Sequence, residues 1–294
     1  MLEDLVKRST PLPSKSKLLI LGAGFSGQKV SSLARRLGNK TICSRRNIEK
    51  PGANIVFNSE TKEFPKEAAL EGITHLLSCI PPSPNGEDPV LTSIGNLLKN
   101  LSLEWVGYLS TTGVYGDRKG EWVSENDQPN PSQLRSKRRL SCEEAWLNSG
   151  LSVQILRLPG IYGPGRSVLD GILSGNSKMV DKPGQVFSRI HVEDIAGAII
   201  HLINLAAKGN CPKIINIADN LPTSNLEVMH YAASLLKYRL PPIEPFEIAA
   251  KRMSPMALSF WKENRKVSNK MLCEELGYSL LHPDYKIGIQ DCLK

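Results

Sequence analysis

KLLILGAGFSGQKVSSLARRL, residues 17–37, holds the pattern that decides the fold. Leu18, Leu19, Ile20 and Leu21 make a short apolar run of the length of a buried strand. Val30, Leu33, Ala34 and Leu37 then recur at i, i+3, i+4 and i+7, one face of an amphipathic helix. Between them stands Gly22-Ala23-Gly24-Phe25-Ser26-Gly27. Strand, glycine turn and helix in that order form the context in which a G-x-G-x-x-G match predicts a dinucleotide site. Gly22 permits the tight turn, Gly24 the approach of backbone to a pyrophosphate, and Gly27 close packing of helix on strand. The helix N-terminus, at Phe25 and Ser26, offers N–H groups and a positive dipole end to the phosphates.

Outward from this unit, strand and helix patterns alternate, as in a doubly wound parallel sheet covered by helices. Strands are expected at 40–44, 53–57, 74–80, 105–111, 152–158 and 213–218, with a shorter one at 187–190. Helices are expected at 91–101, 132–149 and 192–207, and a turn-rich loop at 113–131. The α/β reading divides the chain into a loose N-terminal arm (1–16), a Rossmann-like dinucleotide-binding domain (17–219) and a smaller substrate-side lobe (220–294).

The 294 residues are 40% hydrophobic, enough for a sizeable core and against disorder. No apolar run reaches the roughly 18–20 residues of a membrane span. The first residues, MLEDLVKRSTPLPSKSK, have no apolar h-region and no cleavage site, so no secretory signal is expected. Six scattered cysteines without a C-x-x-C pair suit reduced thiols in a cytoplasmic protein. His75, His201, His230 and His282 show no metal-ligand spacing, and no metal is expected. The net charge of +8 gathers in Arg35-Arg36, Arg45-Arg46 and RSKRR at 135–139. No stacking aromatics interleave with these clusters and no nucleic-acid-binding motif appears. A polyanionic cofactor and a solvated basic face explain the charge better than nucleic acid does.

Which dinucleotide binds is decided at the tip of the second strand. A carboxylate there holds the ribose 2′-OH of NAD, whereas arginine accommodates the 2′-phosphate of NADP. The tip reads Cys43-Ser44-Arg45-Arg46. Arg45, with Ser44 and Arg46, is expected to clamp a 2′-phosphate by charge-assisted bonds, so NADP is the expected cofactor rather than NAD.

Ser110-Thr111-Thr112-Gly113-Val114-Tyr115-Gly116-Asp117 follows the fifth strand directly, at the carboxyl end where open α/β sheets bind ligands. This segment resembles the S-[ST]-x-x-V-Y-G segment of the extended short-chain dehydrogenase/reductases, the epimerase/dehydratase family. RLPGIYGPGR at 157–166, RIHVEDI at 189–195 and NIAD at 216–219 are similar to later segments of that family. The resemblance implies a Rossmann fold with a nicotinamide dinucleotide and a small-molecule substrate. It also implies a homodimer pairing through helices such as 132–149. It puts the catalytic Ser/Thr on Thr111 and the ribose-binding lysine of a Y-x-x-x-K pair on Lys137. Cofactor contacts then fall on Ile80 and Pro81 at the end of the fourth strand and on Pro159 and Ile161 after the sixth.

Two departures point to the atypical, YeeZ-like branch of that family. Leu21 stands at the first position of the usual G-x-x-G-x-x-G. Gln133 stands in place of the tyrosine, and glutamine donates a hydrogen bond but is no acid or base. Loss of a positioned proton donor costs about 10²–10⁴-fold in rate. Tyr115, and behind it Tyr162, are the candidate substitutes. The function expected is an NADP(H)-binding oxidoreductase or epimerase/dehydratase acting on a small or nucleotide-linked substrate. The alternative is a non-catalytic NADP(H)-binding sensor or assembly factor.

Overall fold

The computed structural model describes residues 2–293. The chain forms two compact units. The first takes the residues up to Thr111, Leu134–Arg157 and Val192–Ile215, and the second takes Thr112–Gln133, Leu158–His191 and the chain from Asn216 onward.

Unit one is built on a sheet of β1 (Lys17–Leu21), β2 (Lys40–Arg45), β3 (Ile55–Val56), β4 (His75–Ser78), β5 (Trp105–Thr111) and the strands Val153–Leu158 and Ile214–Asn216. Its seven strands lie in the order Ile214–Asn216, Val153–Leu158, β5, β4, β1, β2, β3. β1 pairs in parallel with both β2 and β4, β2 with β3, and β4 with β5. Leu18 to Leu21 are fully buried, the continuous apolar run required of a strand covered on both faces. The strand order reverses at β1, so the carboxyl ends of β1 and β4 flank the switch point, where ligands bind in doubly wound sheets. The fold is therefore the α/β Rossmann-like parallel sheet that the alternation implies.

Helices follow their local signals. α1 spans Leu2–Arg8, α2 spans Phe25–Arg36, α3 spans Pro89–Lys99 and α4 spans Leu134–Leu147. α3 begins two residues earlier than its apolar spacing suggests. The Asp88 carboxylate accepts the N–H groups of Val90 (2.9 Å) and Leu91 (3.1 Å), and Pro89 occupies the first turn. The expected loose arm is also more ordered than its composition suggests. α1 buries Leu5, Leu12 is buried beyond it, and the Asn39 amide pairs with both the N–H (3.1 Å) and the C=O (3.2 Å) of Leu12. Two isolated leucines are too sparse to register as a periodic face, yet they suffice to fasten a short segment.

His75 in β4 is buried, with Nδ1 2.8 Å from the Thr74 hydroxyl, and burial pulls its pKa below the ordinary 6.5. The unfolded chain then binds more protons, so this contribution is complete above about pH 6.5 and is lost as pH falls through the depressed native value. In denaturant titrations from pH 7 to 5, His75→Gln is expected to flatten that loss. An unchanged slope would show that His75 does not cause it.

Unit two has short parallel pairs: Gly160–Tyr162 with Arg189–His191, Trp122–Val123 with Lys266–Val267, and Val180–Asp181 with Glu244–Pro245. Its main core gathers Tyr162, Leu169, Ile172, Met179, Met229 and Tyr285, with others around them. The segment 220–294 thus shares its unit with residues from two earlier parts of the chain. Among the described residues, no helix is long and apolar enough to cross a membrane.

Candidate functional site

Each glycine of the first turn answers to a different constraint. Gly22 has φ +76°, and a Cβ there would stand 2.6 Å from Ile80 Cγ1. A Cβ on Gly27 would press on Ile20 at 3.0 Å and Cys79 Sγ at 3.3 Å, so the helix lies close on the sheet. Gly24 differs. A Cβ there would meet only the Gly22 carbonyl at 3.8 Å, an ordinary contact. Among the described residues no tight contact of a Cβ demands glycine at Gly24, and the room beside it is what a pyrophosphate needs for close approach. No side chain caps α2 and its first turn carries no acidic residue, which suits an anion at its N-terminus. These residues fit a dinucleotide.

At the tip of β2 the expected trio separates. Arg45, half-buried, donates through Nη1 to the Ala23 carbonyl inside the glycine turn. Arg46 is exposed and pairs with Glu60 at 3.2 Å. Ser44, expected beside a 2′-phosphate, is fully buried: its hydroxyl accepts the Gly22 N–H (3.0 Å) and its carbonyl the Ala23 N–H (2.9 Å). It braces the turn from beneath. Side chains alternate along a strand, so the residue before Arg45 faces into the unit.

At the end of β5, Thr111 is half-buried and Ser110 is buried. The Ser110 hydroxyl donates to Glu143 Oε1 on α4, and Glu143 is held by Arg157 through Nε (3.1 Å) and Nη2 (2.7 Å). This buried ion pair joins α4 to β5 and to the strand Val153–Leu158. Lys137 lies on the solvent side of α4, and among the described residues its ammonium has no hydrogen bond or ion pair. Ile80 is half-buried and Pro81 exposed just past β4.

Unit two holds the remaining candidates. Gln133 is half-buried, with Nε2 3.3 Å from the Ser132 hydroxyl. Tyr115, the candidate substitute acid, is fully buried, and its hydroxyl donates to Asn216 Oδ1 at 2.8 Å. That places it in a core with Val123, Ala218 and Val267, closed to a ligand. Pro159 and Ile161 are half-buried, Ile161 in the strand paired with Arg189–His191. His191 packs among aromatic rings, 5.2 Å from Tyr162 and 3.7 Å from His282 between centroids, while His282 Nε2 lies 3.3 Å from Asp291 Oδ2. Sequence spacing could not show this grouping, because the two histidines are far apart in the chain.

Glu143 carries no signal in the sequence, and Arg139 stands there only within the basic run RSKRR; in the structure Glu143 shares the buried face of α4 with Ser136, Cys142 and Trp146.

The family model described as the NAD dependent epimerase/dehydratase family matches residues 18–218. The protein YeeZ of Escherichia coli (strain K12) is 32% identical over 180 residues, 60% of this chain, and the match spans only 58% of YeeZ. A solved conserved protein from Silicibacter pomeroyi DSS, described as functionally unknown, is 36% identical with a TM-score of 0.84, over 95% of this chain and 98% of that one. The human epimerase family protein SDR39U1, solved with NADPH, is similar in fold alone: TM-score 0.74 at 16% identity, over 94% of this chain and 98% of that one. The matched span runs from β1, through the glycine turn and the end of β5, to the last sheet strand, and with it the chain belongs to the NAD dependent epimerase/dehydratase family.

Proposed function

We propose that this chain binds NADP(H) at the glycine turn of unit one and acts as an oxidoreductase on a small or nucleotide-linked substrate. One observation supports the reading above others: β2 ends in Arg45, whose guanidinium reaches the glycine turn where an NAD-selective site would place a carboxylate. The nicotinamide, when bound, supplies or accepts hydride. Gly22, Gly24, Phe25, Ser26 and Gly27 cradle the pyrophosphate, Arg45 and Arg46 face the 2′-phosphate, and Ile80 with Pro81 lines the end of β4. The Thr111 hydroxyl orients the substrate, and the Lys137 ammonium holds ribose hydroxyls. Pro159 and Ile161 complete the set on the family resemblance alone.

Arg45→Ala is expected to weaken NADPH binding about 10–100-fold, the worth of one or two charge-assisted bonds, and to leave NADH unchanged. Nicotinamide fluorescence titration reads both. Equal losses for the two nucleotides would remove the 2′-phosphate role, and binding of neither by the unaltered protein would remove the reading itself.

A second reading is a non-catalytic NADP(H)-binding sensor or assembly factor. It is favoured by Gln133 in the tyrosine position and by the burial of Tyr115. NADPH oxidation against a panel of carbonyl compounds and nucleotide sugars separates the two. Turnover supports the oxidoreductase, whereas a Gln133→Tyr variant active where the parent is silent supports the binding protein.

A further inference from the structure

We infer that Arg139 is a preorganised bidentate site for an oxyanion, a carboxylate or phosphate, at the carboxyl edge of β4 and β5. This deepens the function proposed above by adding an anion position distinct from that of Arg45. The two guanidinium groups are anchored at different places, Arg45 on the Ala23 carbonyl of the glycine turn and Arg139 on the Leu109 carbonyl at the end of β5.

The site follows from the sheet. Val106 donates its N–H to Ser152, on the side away from β4. Backbone groups alternate along a strand, so Gly107, Leu109 and Thr111 present theirs toward β4. The last β4–β5 pair is Ser78 with Tyr108. The Leu109 carbonyl therefore lies one residue beyond the ladder, with no strand left to bond it. Arg139 takes that place: Nη1 donates to the Leu109 carbonyl at 3.0 Å and to the Tyr108 hydroxyl at 2.9 Å, with the guanidinium carbon 5.4 Å from the Tyr108 ring centre.

Nη1 carries two hydrogens, and both are spent. The opposite edge, Nε–H with Nη2–H, is the fork that matches two oxygens of one anion. Among the described residues that edge has no acceptor, and no carboxylate pairs with Arg139. Asp88, the acid whose ionisation feels the Arg139 charge, is committed to the N–H groups of Val90 and Leu91 and to Trp146 Nε1 at 2.9 Å. Ser78 adds an independent mark. It is fully buried at the end of β4, and its hydroxyl has no partner among the described residues. Arg139 is thus fixed by a carbonyl and a phenol, half-buried, with its binding edge unused.

The oxyanion can belong to a substrate or to the cofactor, and two probes distinguish these sources. Inorganic phosphate is titrated by thermal shift into Arg45→Ala, which removes the other phosphate position, with and without Arg139→Gln. NADPH is titrated into the protein with and without Arg139→Gln. A substrate anion site predicts phosphate stabilisation that survives Arg45→Ala and weakens about tenfold or more on Arg139→Gln, with NADPH affinity unchanged. A cofactor site predicts a comparable loss of NADPH affinity. No change in either titration overturns the inference, even where NADPH binds normally. Failure of NADPH to bind any form counts against the proposed function and leaves the phosphate arm to decide this one. Should Arg139→Gln not fold, phenylglyoxal labelling of the unaltered chain replaces it. Protection of Arg139 by phosphate supports the site, and unprotected labelling or none overturns it.

Discussion

Replacing Arg157 by leucine is expected to remove about 3–5 kcal/mol of stability, a large share of what a domain of this size possesses. Arg157 and Glu143 are each 1% exposed, and two hydrogen bonds join them. Without the guanidinium, a carboxylate would remain in the interior with the Ser110 hydroxyl as its chief compensation. The cost comes from the uncompensated charge more than from the pair itself, so Arg157→Leu combined with Glu143→Leu is expected to recover much of the loss. Urea unfolding of the two single variants and the double completes the cycle. A loss below about 1 kcal/mol in Arg157→Leu would mean that the carboxyl group is accommodated without its partner. Thr111 follows Ser110 directly and Lys137 shares α4 with Glu143, so the same pair holds in register the two elements assigned to the proposed chemistry.

Gly116→Ala is the second large effect expected, at about 3 kcal/mol or more. Gly116 has φ +72°, and a Cβ there would fall 1.9 Å from the Asn130 carbonyl oxygen, inside any permissible contact. The clash cannot relax easily. Asn130 donates its N–H to Val114 at 3.0 Å, and the Gly116 carbonyl accepts from Arg265 at 2.8 Å, so both sides of the overlap are tied. Thermal unfolding of unit two should shift down or become a separate early transition. Tyr115→Phe, one residue earlier, is expected to cost about 1–3 kcal/mol, because it leaves Asn216 Oδ1 without its donor, and to leave NADPH binding intact. A loss of NADPH binding in Tyr115→Phe would return that hydroxyl to the candidate site. The tyrosine and glycine of the V-Y-G segment, which in sequence look like part of an active site, thus have structural reasons to be there.

The Rossmann-like sheet was legible because its signals are local. β5 occupies 105–111 as read, and the glycine turn sits between β1 and α2 with the constraints anticipated at Gly22 and Gly27. A strand buried on both faces must be apolar throughout, and a helix with one buried face must repeat near 3.6 residues; short windows record both requirements. What a side chain touches is set by elements distant in the chain. Ser44 and Arg45 are neighbours in sequence, yet one turns inward to hold Gly22 and the other reaches Ala23, since the strand pleat sends them to opposite sides. Arg139 in a basic run looked solvated until the early end of β4 uncovered the Leu109 carbonyl for it to bind. Local periodicity therefore determined the architecture and the place of the glycine turn. Only tertiary packing decided which polar groups were consumed as struts and which kept an unused hydrogen-bonding edge, because burial and pairing depend on neighbours that no single window contains.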